Sequence, residues 1–110
     1  MADFVAGDVV VVRFPYSDLQ GSKRRPALVL AQAEFENLIL CQITSRAYTS
    51  RTAVRLVKSD VVDGALPVTS YVRPDKLFTA EPIIIEKHVG RVTTELRQKI
   101  LARVRKIFRD

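Results

Sequence analysis

The sequence predicts a small, strongly bent antiparallel β structure completed by one terminal helix. Three observations carry that expectation. Short runs rich in Val, Ile and Leu recur up to Ile85, and Gly, Pro, Asp and Ser punctuate them. A 3.6-residue apolar period emerges only beyond Thr93. Short strands joined by such turns close most readily into a small barrel. At 110 residues the chain fits a single domain spanning 1–110, and its 47% hydrophobic content supplies a core.

Val9 to Phe14, bounded by Gly7 and Pro15, reads as a buried strand. Ser17-Asp18-Leu19-Gln20-Gly21-Ser22 supplies turn chemistry. Ala27 to Ala31 and Leu38 to Thr44 follow as two strands of suitable length for an antiparallel pair, joined through Glu34-Phe35-Glu36-Asn37. Arg46 to Thr52 is a polar connection, and Ala53 to Val57 a further short strand. Lys58 to Pro67, containing Asp63-Gly64, reads as a turn-rich crossover. Val68 to Leu77 is a strand interrupted by Pro74, which places it at an edge or a strand end. Ile83-Ile84-Ile85 is either a last strand or a link to the helix. In the helix, Leu96, Ile100, Leu101, Val104 and Phe108 share one stripe with Ile107 at its margin, Thr93 or Thr94 caps the start, and Glu95 suits the first turn. Its cations, Arg97, Lys99, Arg103, Arg105, Lys106 and Arg109, read first as a solvated face, with an RNA-binding helix as the alternative. The count is five or six strands and one helix.

The formal charge of +6 favours a polyanionic partner, whether nucleic acid, an anionic membrane or an acidic protein. No run approaches the ~18 apolar residues of a membrane span, and the N-terminus lacks the basic start and apolar stretch of a signal peptide. A cytoplasmic protein without membrane attachment is expected. Cys41 is the single cysteine, set in an apolar run, and reads as a small buried hydrophobe. With one cysteine and one histidine, His88, no His/Cys metal cluster is expected. No phosphate-loop or dinucleotide glycine pattern occurs either, so neither metal nor cofactor is expected. His88 reads as structural or exposed.

Three places remain for chemistry. Lys23-Arg24-Arg25-Pro26 presents cations at a proline-stiffened strand start. A guanidinium there can bind two phosphate oxygens, or be an ordinary surface arginine. Thr44-Ser45 ends a strand, where hydroxyls can hold a phosphate oxygen or merely close a turn. Arg73-Pro74-Asp75-Lys76 sets a carboxylate between cations, as a proton acceptor or as part of a salt-bridge network.

Taken in order, Gly7-Asp8-Val9-Val10, Arg24-Arg25-Pro26-Ala27-Leu28-Val29, Ile43-Thr44-Ser45, Val72-Arg73-Pro74-Asp75-Lys76-Leu77 and His88-Val89-Gly90-Arg91-Val92 resemble the MazF/PemK (Kid) family of toxin endoribonucleases, over nearly the whole chain. The resemblance implies an SH3-like barrel with helical additions, usually a homodimer. It also implies metal-independent cleavage of single-stranded RNA, leaving 2′,3′-cyclic phosphate and 5′-OH ends. The resemblance maps the residues associated with cleavage onto Arg25 and Thr44, and an acid–base Arg-x-Asp unit onto Arg73-Pro74-Asp75. The chemistry then suggests that Arg25 stabilises the phosphorane, Thr44 positions the scissile phosphate, Asp75 is the base and Arg73 neutralises charge at the leaving side. Lys23, Arg24, Ser45 and Arg46 would line the RNA path, with Tyr48 stacking on a base. The first loop, Tyr16 to Lys23, lacks the histidine used in the Kid branch. The family implies an acidic antitoxin as partner and promoter DNA bound only together with it. The competing readings are a CcdB-like gyrase poison of the same fold and a non-catalytic RNA-binding module.

Overall fold

The computed structural model describes residues 4–18, 21–46 and 51–109, with side chains except at 14–18 and 21–23. Seven strands form one antiparallel sheet: β1 (Asp8–Asp18), β2 (Gly21–Gln32), β3 (Leu38–Thr44), β4 (Val54–Leu56), β5 (Val61–Val62), β6 (Ser70–Ala80) and β7 (Ile85–Val92). Their order across the sheet is β4-β6-β3-β2-β1-β7-β5, and helix α1 (Thr94–Ile107) follows. The architecture is a mainly β half-barrel with one C-terminal helix.

The apolar runs are continuous because the curved sheet is buried on both faces. Val9, Leu28, Leu30, Cys41, Ile43, Val54 and Val72 point to one core, where Leu96 and Ile100 of α1 pack. Val10, Val12, Ala27, Val29, Leu38 and Leu40 point to the other, closed by Phe4, Phe78 and Ile85. Neighbours on one strand therefore feed different cores, as the two-residue period requires. The helix starts where expected: Thr93 Oγ1 accepts from the Leu96 N–H at 3.2 Å. Its stripe is shorter than expected, with Phe108 69% exposed. Arg103 leaves the solvated face, donating to the Arg51 carbonyl at 3.1 Å and so tying α1 to the chain before β4.

Other departures have local causes. The first hairpin runs farther than the turn residues suggested, with Asp18 paired to Gly21, so Arg24, Arg25 and Pro26 lie within a strand. Pro26 fits there because pairing of β2 to β3 begins only at Ala27↔Gln42, which leaves β2 open on that side. The supposed crossover holds the two-residue strand β5 on the sheet edge. Its turn comes so close to β7 that a Cβ on Gly64 would lie 2.0 Å from the Val89 carbonyl oxygen, and Gly64 has φ +157°. Only glycine fits. The last strand is β7, with Ile83 in a single 3-10 turn before it.

Candidate functional site

β3 is shorter than its neighbour, and the site follows from that. Ala27 pairs with Gln42 and the ladder then stops. Two residues farther along each strand, Arg25 comes abreast of Thr44 with no ladder between them. A cavity of about 410 Å³ opens there, lined by Arg24, Arg25, Pro26, Thr44 and Ser45 on one side and by Leu66, Pro67, Val68 and Ser70 on the other. Its floor is apolar, from Val9, Val11, Ile43 and Val89. Thr44 Oγ1 accepts from the Arg46 N–H at 3.2 Å, which closes the turn after β3 and leaves the hydroxyl proton to donate.

On its other edge β3 pairs with β6, Gln42 opposite Arg73 and Thr44 opposite Tyr71; β4 then sets Arg55 opposite Tyr71. Directly paired residues share a face, as do residues two apart on one strand. Arg25, Gln42, Thr44, Tyr71, Arg73 and Arg55 therefore occupy one face, polar at this end and apolar at the other, where Val10, Val29 and Leu40 lie. Arg25 and Arg73 stand two strands apart, roughly 10 Å at the backbone. Long side chains span that gap.

Between Gln42↔Arg73 and Cys41↔Leu77 the register jumps, and Pro74, Asp75 and Lys76 have no partner on β3. This bulge accommodates a proline in a strand flanked on both sides. β4 pairs only as far as Val72, so β6 is an edge at Pro74 as well. It also turns Asp75 back onto Arg73, whose Nη2 donates to Asp75 Oδ2 at 2.9 Å. Arg73 is the more buried partner, its side chain 16% exposed against 36% for Asp75. Cys41, in the core behind, has its thiol pushed up to about 12, first by burial and then by the Asp75 charge. That is an inert thiol, as its apolar run suggested.

Of the residues singled out from sequence, Arg24, Arg25, Thr44 and Ser45 meet around the cavity, and Arg73 and Asp75 form their pair on the neighbouring strand. Arg46 follows the cavity rim, exposed. Tyr48 and the side chain of Lys23 lie outside the described residues. Gln42, Tyr71 and Arg55 were missed, because only strand register brings them into the row. Asp8 was also missed as an anchor. Buried at 2% exposure, it accepts from the Val5 N–H at 2.9 Å and from Arg91 Nε at 3.1 Å, with His88 Nε2 at 3.2 Å. This gives His88 a structural place. Among the described residues no group of His, Cys, Asp and Glu could hold a metal ion, and no helix is long and apolar enough to cross a membrane.

Solved structures share the fold. MazE–MazF from Deinococcus radiodurans (form III) superposes with a TM-score of 0.77 at 22% identity, over 96% of this chain and 96% of that one. An endoribonuclease from a mycobacterial species, solved with its cognate antitoxin, gives 0.73 at 21% identity, over 93% and 91% of the two chains. The Mycobacterium tuberculosis toxin MazF-mt6 gives 0.71 at 17%, over 92% and 95%. A search of curated protein sequences finds no match. The family model of PemK-like, MazF-like toxins of type II toxin–antitoxin systems matches residues 6–108. With that match over nearly its full length, and with the half-barrel, the Arg-Pro strand and the Thr-Ser strand end in place, the chain belongs to the PemK-like, MazF-like toxin family of type II toxin–antitoxin systems.

Proposed function

We propose that this toxin is an endoribonuclease acting on single-stranded RNA by attack of a ribose 2′-OH on the adjacent phosphorus. The observation that carries the reading is the open end of β3: Arg25 and Thr44 flank a gap, with the Arg73–Asp75 pair one strand away. The reaction needs a proton acceptor, an oriented phosphate and stabilisation of the negative phosphorane. Arg25, permanently charged and forked, binds the non-bridging oxygens as charge accumulates. The Thr44 hydroxyl donates to one of them and fixes the phosphate. Asp75, with Oδ2 held by Arg73, takes the 2′-OH proton on Oδ1. The 2′-oxygen–phosphorus bond forms, the bond from phosphorus to the 5′-oxygen breaks, and the leaving oxygen gains a proton from water, whose hydroxide then takes the proton held on Asp75. Arg73 offsets charge on the leaving side. The products are a 2′,3′-cyclic phosphate and a 5′-OH, and the scheme needs no cofactor.

Lys23, Arg24, Ser45, Arg46 and Tyr48 line the RNA path in this reading, and the net charge of +6 suits the substrate. Message cleavage then arrests translation and growth in the cytoplasm. The partners proposed are an acidic antitoxin segment that folds onto the basic surface, a second copy of the chain, and promoter DNA once the antitoxin is bound. The whole chain, 1–110, acts as one toxin domain.

The test incubates wild type and Arg25→Ala with long single-stranded RNA in excess EDTA and maps product ends. Wild-type cleavage leaving cyclic phosphate and 5′-OH, slowed on the order of 10²-fold or more in Arg25→Ala, is the expected result. Intact RNA with folded wild-type protein would overturn the reading in favour of a toxin that poisons a protein target.

A further inference from the structure

Arg13 and Arg24 stand directly opposite each other on β1 and β2. Like charges so placed repel across the ladder. The chain answers with one carboxylate. Glu86 Oε2 accepts from Arg13 Nε at 2.6 Å and Oε1 from Arg24 Nε at 2.5 Å. A bulge puts Glu86 there: β7 pairs Lys87 with Val11 and Ile85 with Val12, so Glu86 has no opposite number on β1. Bulges re-aim side chains in this way. The arginines stay open to solvent, their side chains 50% and 68% exposed, while Glu86 between them is 27% exposed. The Arg24 guanidinium, and after it Arg13, holds the Glu86 carboxyl below the usual carboxylate range, so it is an anion at neutral pH.

Two guanidiniums each taking one oxygen of a shared anion is the geometry that also suits the two non-bridging oxygens of a phosphodiester. Arg24 adjoins Arg25 and lines the same cavity, whereas Arg13 and Glu86 line a separate hollow with Ile83 and Ile84, so Arg24 links this second anion position to the candidate cleavage groove. We propose that Arg13 and Arg24 form a phosphate subsite for the RNA backbone outside the scissile bond, occupied in the free protein by Glu86, which RNA displaces. The proposal rests on the ribonuclease reading and adds an internal competitor to it. Continuity with the cavity favours RNA over an acidic peptide as the displacing anion.

The experiment measures binding of a 2′-O-methyl single-stranded oligonucleotide, which has no free 2′-OH to react, over a range of salt concentrations. Glu86→Gln should bind about three- to tenfold tighter at low salt. Its affinity should also fall more steeply with salt, by a log–log slope of about 0.7 for one further phosphate neutralised on a single strand. Adding Arg13→Ala to Glu86→Gln should abolish the gain. Unchanged or weaker binding by Glu86→Gln with an unaltered melting curve overturns the proposal, as does a gain that survives Arg13→Ala. A gain for poly-glutamate without one for the oligonucleotide also overturns it, assigning the position to an acidic protein segment. If wild type binds and cleaves RNA yet Glu86→Gln matches it, this inference alone fails; if wild type does neither, the ribonuclease reading fails with it.

Discussion

Asp8 and Asp75 are both aspartates bound to an arginine, yet their surroundings differ in every respect that matters for chemistry. Asp8 is almost wholly buried, and a backbone N–H, Arg91 and His88 crowd its two oxygens. It pairs in register with Arg91 and so fastens the first strand to the last across 83 positions of sequence. Asp75 sits on a bulge, about a third exposed, with Arg73 on one oxygen. A buried carboxylate with both oxygens engaged holds a fold together. One approached from a single side can still accept a proton. The type of ion pair is the same; saturation and access decide its use.

Exchanging the two roles by mutation gives the largest expected contrast. Asp75→Asn should slow RNA cleavage on the order of 10²-fold or more in single-turnover assays, while stability moves by only about 1 kcal/mol, because Asn still offers Arg73 an acceptor oxygen. A rate within tenfold of wild type would put the proton acceptor elsewhere. Asp8→Ala should do the reverse. Leaving the Val5 N–H, the Arg91 guanidinium and the His88 ring without their acceptor costs about 3 kcal/mol in urea unfolding, with cleavage per folded molecule retained. Equal losses of activity in both variants would erase the distinction.

A smaller effect sharpens the comparison from behind the sheet. Cys41, pushed up to about 12 by burial and then by Asp75, keeps its proton when folded but loses it near its ordinary value of 9.0 when unfolded. Its contribution is intact below the unfolded value and is lost as pH rises toward 12, because the unfolded state then binds fewer protons. Wild type should therefore lose about 1 kcal/mol more than Cys41→Val between pH 8 and pH 10, read from urea midpoints. Parallel pH profiles would show that Cys41 does not feel that environment. Smallest of all is Arg103→Ala, which removes the exposed tie from α1 to the Arg51 carbonyl and should cost about 0.5 kcal/mol.

The same contrast explains what could be read from sequence. β1, β2, β3 and α1 were legible because their side chains face packed cores, and burial imposes apolar runs or a helical period. β7 was not, since Glu86, Lys87 and His88 face outward and register shifts at Glu86 and Val89 break its alternation. β5 has only two residues, too few for any period. Arg25, Thr44, Arg73 and Asp75 were found through proline neighbours, strand ends and the family pattern. Gln42, Tyr71 and Arg55 carry no local mark, because membership of the polar row is a property of strand register. Asp8 and His88 come together only through the folded chain.

The strand order also has a consequence in time. β1, β2 and β3 are successive neighbours, so the part of the sheet bearing Arg25 and Thr44 needs only short-range pairing, the rapid kind. Arg73 and Asp75 arrive on β6, which must return across the whole segment 45–70 to lie beside β3. β7 must then close back onto β1. A chain emerging from the ribosome can thus assemble an arginine-bearing meander well before the carboxylate reaches it. The β6 pairing that brings the Arg73–Asp75 pair beside β3 follows the meander, so in the proposed ribonuclease the site stays incomplete until β6 has been made.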